Sequence, residues 1–180
     1  MAAKTANAMD LDREHQPLSL SDRVAKVYEE SRDEIFRYIV MLGIPRDTAQ
    51  EICQEAFLRL YRALRAGQPI ENLRAWAFTV ARNQALTIRS TASFGVLDTE
   101  IEQKLAGNSP SPEQNLLEVE KFRRLDEAVL LLTAQQRQLF HLRTRGFRYR
   151  EIAEIVGLST STVAEAVQRA VERLRKVLYE

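Results

Sequence analysis

Cysteine is nearly absent from this chain. Cys53 is the only one in 180 residues, which excludes an internal disulfide and any multi-cysteine zinc site. Histidine is scarce too: His15 and His141 stand too far apart to build a metal centre by themselves. No metal, cofactor or redox chemistry is expected. Long apolar runs are also missing. Stretches such as 128–132 fall far short of the roughly 20 residues a membrane-spanning helix needs, so a soluble protein with no membrane insertion is expected. Residues 1–20 mix Lys4, Asp10, Asp12, Arg13 and Glu14 with small residues. They lack the apolar core of a signal peptide and read as a loose extension of a cytoplasmic protein. No nucleophile and base pair, metal cluster or phosphate loop is visible, so an enzyme is the poorest reading.

A strong net charge is lacking as well. The formal value is only +1, but it is unevenly laid out. Residues 1–90 carry 13 basic and 12 acidic side chains, residues 91–120 one basic and six acidic, and residues 121–180 twelve basic and seven acidic. Such asymmetry suggests that the segments face different partners, with the C-terminal part nearest to a phosphate backbone. With 45% hydrophobic and 28% charged residues, the chain is ordinary for one domain or two small ones.

What is present is helical periodicity, and no stretch shows the strict alternation of a half-buried strand. Val24, Val27, Tyr28, Ile35, Tyr38, Ile39 and Leu42 form one stripe, stopped by Gly43 and Pro45. A second helix starts near Arg46 and carries Ala49, Ile52, Cys53, Ala56, Phe57, Leu60, Tyr61 and Leu64 at three-four spacing up to the Gly67 to Pro69 break. A third runs from the N-cap Asn72 to about Ser90, burying Leu73, Ala77, Val80, Ala81 and much of Trp76 or Leu86. Gly95, Gly107, Asn108, Ser109, Pro110, Ser111 and Pro112 then mark an acidic linker.

After the linker, a helix is expected over 116–131, and Thr133 with Gln136 spells a capping box for another that ends before Gly146. Helices over 149–156 and about 160–178 flank Gly157, Leu158 and Ser159, which is the spacing of a helix-turn-helix with a serine N-cap. Ile152, Ala153, Val156, Leu158, Val163 and Val167 would be its small core. The fold expected is all-α, with two small helical domains joined by a flexible acidic linker: an extension over 1–20, a first domain over 21–90, the linker over 91–115 and a second domain over 116–180.

Four strings carry a resemblance to a known family: DTAQEICQEAFLRLYRAL at 47–64, NLRAWAFTVARN at 72–83, LTAQQRQLF at 132–140 and YREIAEIVGLS at 149–159. Their order and separation resemble the extracytoplasmic-function (ECF) group of the bacterial sigma-70 family, over about residues 20–178. The resemblance implies a sigma factor without catalytic residues, which gives core RNA polymerase promoter recognition and DNA melting for transcription initiation. The two domains would be sigma regions 2 and 4. Core RNA polymerase, promoter DNA and an anti-sigma factor are the partners it implies.

The resemblance also assigns surfaces. Asp47, Glu51, Gln54, Glu55 and Arg59, with Arg62, would dock on the clamp helices of the polymerase's largest subunit; without it they read as a solvated face. Asn72, Arg74, Trp76, Arg82 and Asn83 would meet the −10 element, where an aromatic ring stacks on an unpaired base and arginines hold phosphates. Phe78 would add aromatic surface there, loop 66–71 would lie beside a flipped base, and Trp76 would serve either DNA or the core. Ser159, Thr160, Ser161, Thr162, Glu165, Gln168 and Arg169 would face the −35 major groove, opposite Val163, Val167, Ala170 and Leu174. The linker acids Asp98, Glu100 and Glu102 read either as an RNA mimic or as part of a plain tether.

The chain departs from the family's pattern in two places. Ala164, Glu165 and Ala166 stand where relatives commonly carry lysine, serine and arginine, which removes cations and adds an anion. Arg148 stands where a serine or threonine often caps the next helix, an absence that typically costs about 1 kcal/mol. A two-domain regulator that binds DNA without polymerase and a helical adaptor that binds another protein are the rival readings of the same residues.

Overall fold

The computed structural model describes residues 19–91, 123–125 and 127–179. Among them the regular elements are all helices: α1 (Leu20–Met41), α2 (Arg46–Arg65), α3 (Leu73–Thr91), α4 (Ala134–Thr144), α5 (Tyr149–Val156) and α6 (Thr160–Tyr179). Residues 127–130 are helical too. The extension expected over 1–20, apart from its last two residues, lies outside the described residues. So do the linker expected over 91–115, apart from Thr91, with its Asp98, Glu100 and Glu102, and the part before residue 123 of the helix expected over 116–131.

Local chemistry places the helix ends. Ser19 and Asp22 form a reciprocal box at the start of α1: the Ser19 hydroxyl accepts from the Asp22 amide at 3.1 Å, and the Asp22 carboxylate accepts from the Ser19 amide at 3.2 Å. Asp47 in the first turn of α2 and Arg62 and Arg65 in its last turn complement the helix dipole. Asn72 Oδ1 accepts from the Ala75 amide at 2.9 Å and caps α3. Thr133 and Gln136 make the expected box before α4, at 3.2 and 3.1 Å.

α1, α2 and α3 pack on one another through three-four stripes. Ile35, Tyr38 and Ile39 meet Ala49, Ile52, Ala56, Phe57 and Leu60, and the Tyr28 ring stands edge-on to Phe57 at 4.9 Å. α3 contributes small residues, Ala75, Ala77, Ala81 and Ala85, around one large one, Phe78. Phe78 is 0% exposed, so the expectation that it joins Trp76 in an exposed aromatic surface is corrected. Its ring is enclosed by Tyr38 on one side, at 5.5 Å, and by Phe147 on the other, at 4.9 Å. The third helix also differs in detail from its expected buried set, since Leu86 is exposed and Leu73 and Val80 are half-buried.

The C-terminal unit is built around the turn between α5 and α6. Gly157 adopts φ 70 in the left-handed region, which a Cβ would strain. Its amide and that of Leu158 both donate to the Ala153 carbonyl, at 2.9 and 3.1 Å. The Ser159 hydroxyl then accepts from the Thr162 amide at 3.1 Å and starts α6. Ile152, Ile155, Val163 and Val167 close the small core. At Arg148 no side-chain cap exists, but the Glu151 carboxylate accepts from the Arg148 amide at 2.7 Å. Half of a capping box therefore offsets part of the expected cost.

The two units share one apolar cluster, which runs from α1, α2 and α3 through Phe78 and Phe147 into Leu139, Leu142, Ile152 and Val163. A smaller cluster, Ala128, Leu132, Ala170 and Leu174, pins the helical residues 127–130 to the far end of α6.

Candidate nucleic-acid interface

The charged stripe of α2 lies away from the core. Asp47, Glu51, Gln54 and Arg59 are exposed, and Glu55 is half-buried among its neighbours. Glu55 receives the Arg59 guanidinium at 2.9 Å and Arg62 at 3.7 Å. The hydrogen bond from Arg59, ahead of the charges of Arg59 and Arg62, holds its carboxyl below the ordinary range. In the middle of this stripe stands Leu58, 51% exposed. Residues 47, 51, 54, 58 and 62 follow one another at three-four spacing with 55 and 59 beside them, so Leu58 belongs to the stripe and adds the apolar centre that interfaces favour. Sequence reasoning passed over it, although its offset from the buried set Phe57, Leu60 and Leu64 was the available signal. On the opposite face, Cys53 is buried, donates to the Arg32 carbonyl at 3.5 Å and has its thiol pushed up to about 11 by burial. It is packing, not a nucleophile.

The five α3 residues divide into two groups. Asn72 and Arg74 are engaged. Asn72 spends its carbonyl on the helix cap, and its amide donates to Glu151 of α5 at 2.8 Å. Arg74 pairs with Glu34 of α1, donates to the Arg145 carbonyl at 3.0 Å and lies over the Phe147 ring at 4.2 Å. Trp76, Arg82 and Asn83 are more open. Asn83 is exposed, Arg82 is half-buried beside the Tyr38 hydroxyl, and its Nε has no hydrogen-bond partner. Trp76 is half-buried and lines a cleft of about 540 Å³ with Ile70 of the preceding loop and Arg148, Arg150 and Glu154 of the C-terminal unit.

On α6 the structure gathers all seven C-terminal candidates on one side. Ser159, Thr160, Ser161, Thr162, Glu165, Gln168 and Arg169 are exposed, while Val163, Val167, Ala170 and Leu174 are buried behind them. Ser159 also shares its hydroxyl with those of Ser161 at 2.9 Å and Thr162 at 2.7 Å. The lone cation between Ser159 and Glu172 is not free, since Arg169 bonds Glu165 at 2.9 Å one turn away, and Gln168 donates to Glu172 at 3.0 Å. The surface therefore offers hydroxyls and amides for base edges but little field for phosphates. No described helix is long and apolar enough to cross a membrane.

Comparison with known proteins matches both units. Residues 27–93 match the family described as Sigma-70 region 2, and residues 122–174 match Sigma-70, region 4. The chain is 30% identical over 143 residues to the ECF RNA polymerase sigma factor EcfG of Rhodopseudomonas palustris, covering 79% of this chain and 77% of the relative. It is 26% identical over 158 residues to the RNA polymerase sigma factor YlaC of Bacillus subtilis, covering 86% and 91%. Among solved structures, the sigma factor RpoE of Bartonella quintana, determined in complex with the anti-sigma factor NepR, has a TM-score of 0.58 at 21% identity and covers 95% of this chain and 98% of its own. At that identity the likeness bears on the fold.

Proposed function

The chain belongs to the ECF sigma factors of the sigma-70 family, and from that premise we propose how its surfaces divide the work of transcription initiation. Residues 21–90 act as region 2, residues 116–180 as region 4, and 91–115 as the connection between them. The α2 stripe of Asp47, Glu51, Gln54, Glu55 and Arg59, with Leu58 at its centre, docks on core RNA polymerase. α3 then offers Asn72, Arg74, Trp76, Arg82 and Asn83 to the −10 element, where an aromatic face accepts an unpaired base and the cations hold the strand. The exposed side of α6 enters the major groove at the −35 element, with the Ser159 to Thr162 hydroxyls and Gln168 reaching base edges. The protein works in the cytoplasm, without catalysing a reaction itself, and an anti-sigma factor holds it inactive.

One observation carries this reading against a regulator that works alone. The exposed α2 stripe, charged and centred on Leu58, stands on the same chain as the exposed helix-turn-helix face, and a self-sufficient DNA binder has no use for it. Run-off transcription with purified core polymerase on a genomic promoter library is the test. Product that starts at discrete sites only when this protein is added supports the reading. Sequence-specific duplex binding with no run-off product would give the chain to the rival regulator.

A further inference from the structure

We propose that the junction between α4 and α5 is a phosphate clamp, in which Arg143 and Arg148, with the Tyr149 hydroxyl, grip the DNA backbone beside the −35 groove. The clamp rests on the sigma reading above and supplies what the α6 face lacks, since Arg169 is already paired with Glu165. Residues 143–150 read RTRGFRYR, four arginines and no acid in eight positions. Arg148 among them stands where the sequence departs from its family, in place of a capping hydroxyl.

The turn between the helices builds the clamp. Gly146 adopts φ 86 in the left-handed region, and the chain reverses so that Phe147 enters the core while Arg148 and Tyr149 stand at the start of α5. Arg143, exposed at the end of α4, donates to the Phe147 carbonyl at 3.1 Å and lies over the Tyr149 ring, 5.1 Å from its centroid. That spends one of its N–H groups and leaves the others on a guanidinium already fixed in place. Arg148 is exposed and forms no ion pair among the described residues. The other two arginines are occupied, Arg145 with Glu34 at 3.8 Å and Arg150 with Glu154 at 3.3 Å. The acids of α5 do not cancel the free pair: Glu151 gives one oxygen to the Arg148 amide and the other to Asn72, and Glu154 faces Arg150.

A helix-turn-helix lays its second helix in the major groove while its first crosses the backbone. α5 is that first helix, so its opening residues, and Arg143 stacked on Tyr149, meet phosphates while α6 meets bases. Such contacts carry no sequence information but fix position on the duplex, and each releases condensed counterions. Arg143 loses little side-chain freedom on binding, because the ring and the carbonyl already hold it. The departure at residue 148 is then an exchange: a cation replaces the capping hydroxyl, and Glu151 takes over part of the cap.

The test titrates the full chain with core polymerase against promoter duplexes bearing cognate or scrambled −35 elements at several salt concentrations, with the free chain on duplex at low salt as a second arm. Arg148→Ser puts a capping hydroxyl back, so thermal stability should hold or rise. Affinity should nonetheless fall about fivefold on both duplexes, and the salt slope should shrink by about 0.9. Arg143→Gln, which keeps a donor for the Phe147 carbonyl, should lower affinity and slope by similar amounts. Arg150→Gln, the paired arginine, is the control and should leave the slope in place. A folded double variant of Arg143 and Arg148 with the wild-type slope overturns the clamp. A loss confined to the cognate duplex overturns it too, since these residues would then be reading bases. If no chain yields run-off product while Arg148→Ser still lowers the free-chain slope, the phosphate grip stands and the sigma reading falls instead.

Discussion

α3 and α6 are both assigned to promoter DNA, yet the fold treats them in opposite ways. α3 is the better cationic aromatic surface, but Asn72 and Arg74 bond residues 79 and 71 positions away in the chain. α6 is open along its whole outer side, and its polar bonds stay within one turn, as in Arg169 with Glu165 and Gln168 with Glu172. On α3 the Arg74 guanidinium is taken up by Glu34 and the Phe147 ring; on α6 the Arg169 cation is neutralised by its neighbour. Promoter choice should therefore be weak until polymerase holds region 4 near the −35 element, where high local concentration compensates for low intrinsic affinity. Strand separation should rest on Trp76, Arg82 and Asn83, the more open residues of α3.

The α2 stripe is the reference against which both DNA faces can be tested, because neither is expected to act off polymerase. Leu58→Asp with Gln54→Lys should weaken core-polymerase binding by about a hundredfold in a titration, near 2.7 kcal/mol. Both DNA faces should fall silent together. Promoter binding that survives this loss would break the comparison, since α6 would then be acting alone.

Arg82→Ala with Asn83→Ala touches only α3. Polymerase affinity should stay unchanged while open-complex formation, read by permanganate reactivity of unpaired thymines, falls between about tenfold and a hundredfold. Normal reactivity would mean that the strand-separating face lies elsewhere. Glu165→Lys touches only α6. It removes the partner of Arg169 and adds a second cation, so duplex affinity should rise about tenfold, with a steeper salt dependence and less discrimination between cognate and scrambled −35 duplexes. Lower affinity for the cognate duplex alone would show that Glu165 reads a base, as a carboxylate can do at cytosine N4.

The smallest effect concerns the contact between the two units and its pH dependence. Burial first, then the Arg145 guanidinium, opposed by Glu34 and joined by Arg37, lowers His141 to about 4, and its ring stacks on Tyr38 at 6.0 Å. A histidine lowered in the folded chain binds fewer protons there than in the unfolded chain. Its neutral form thus supports stability above about 6.5, and that support is lost as pH falls toward about 4. Stability to urea should drop by about 1 kcal/mol between pH 7 and 5.5, and His141→Phe should abolish that slope. An equal slope in the variant would assign the protonation to another group.

Much of this architecture was legible because its signals are local. The α2 stripe, the Thr133 and Gln136 box, the left-handed Gly157 and the Ser159 cap each depend on residues within a turn of one another, and α5 spans the same residues as the expected helix. The outward set on α6 was legible for the same reason, since spacing opposite Val163 and Val167 defines it. Phe78 was misjudged because its place among cations on α3 says nothing of Tyr38 and Phe147, which approach from distant segments. Leu58 shows the converse: a leucine in a helical motif is buried or exposed according to which face finds a partner.

By itself, then, the sequence determined helix type, helix ends, the two units and the side of α6 that faces outward, because backbone capping and three-four periodicity act over a few residues. Tertiary structure alone decided that Arg74 and Asn72 are occupied, that Phe78 is core and that Tyr38 meets Gln138 a hundred residues away. Those outcomes depend on how two separately formed units dock, and docking is set by shape and charge across surfaces that no local pattern encodes.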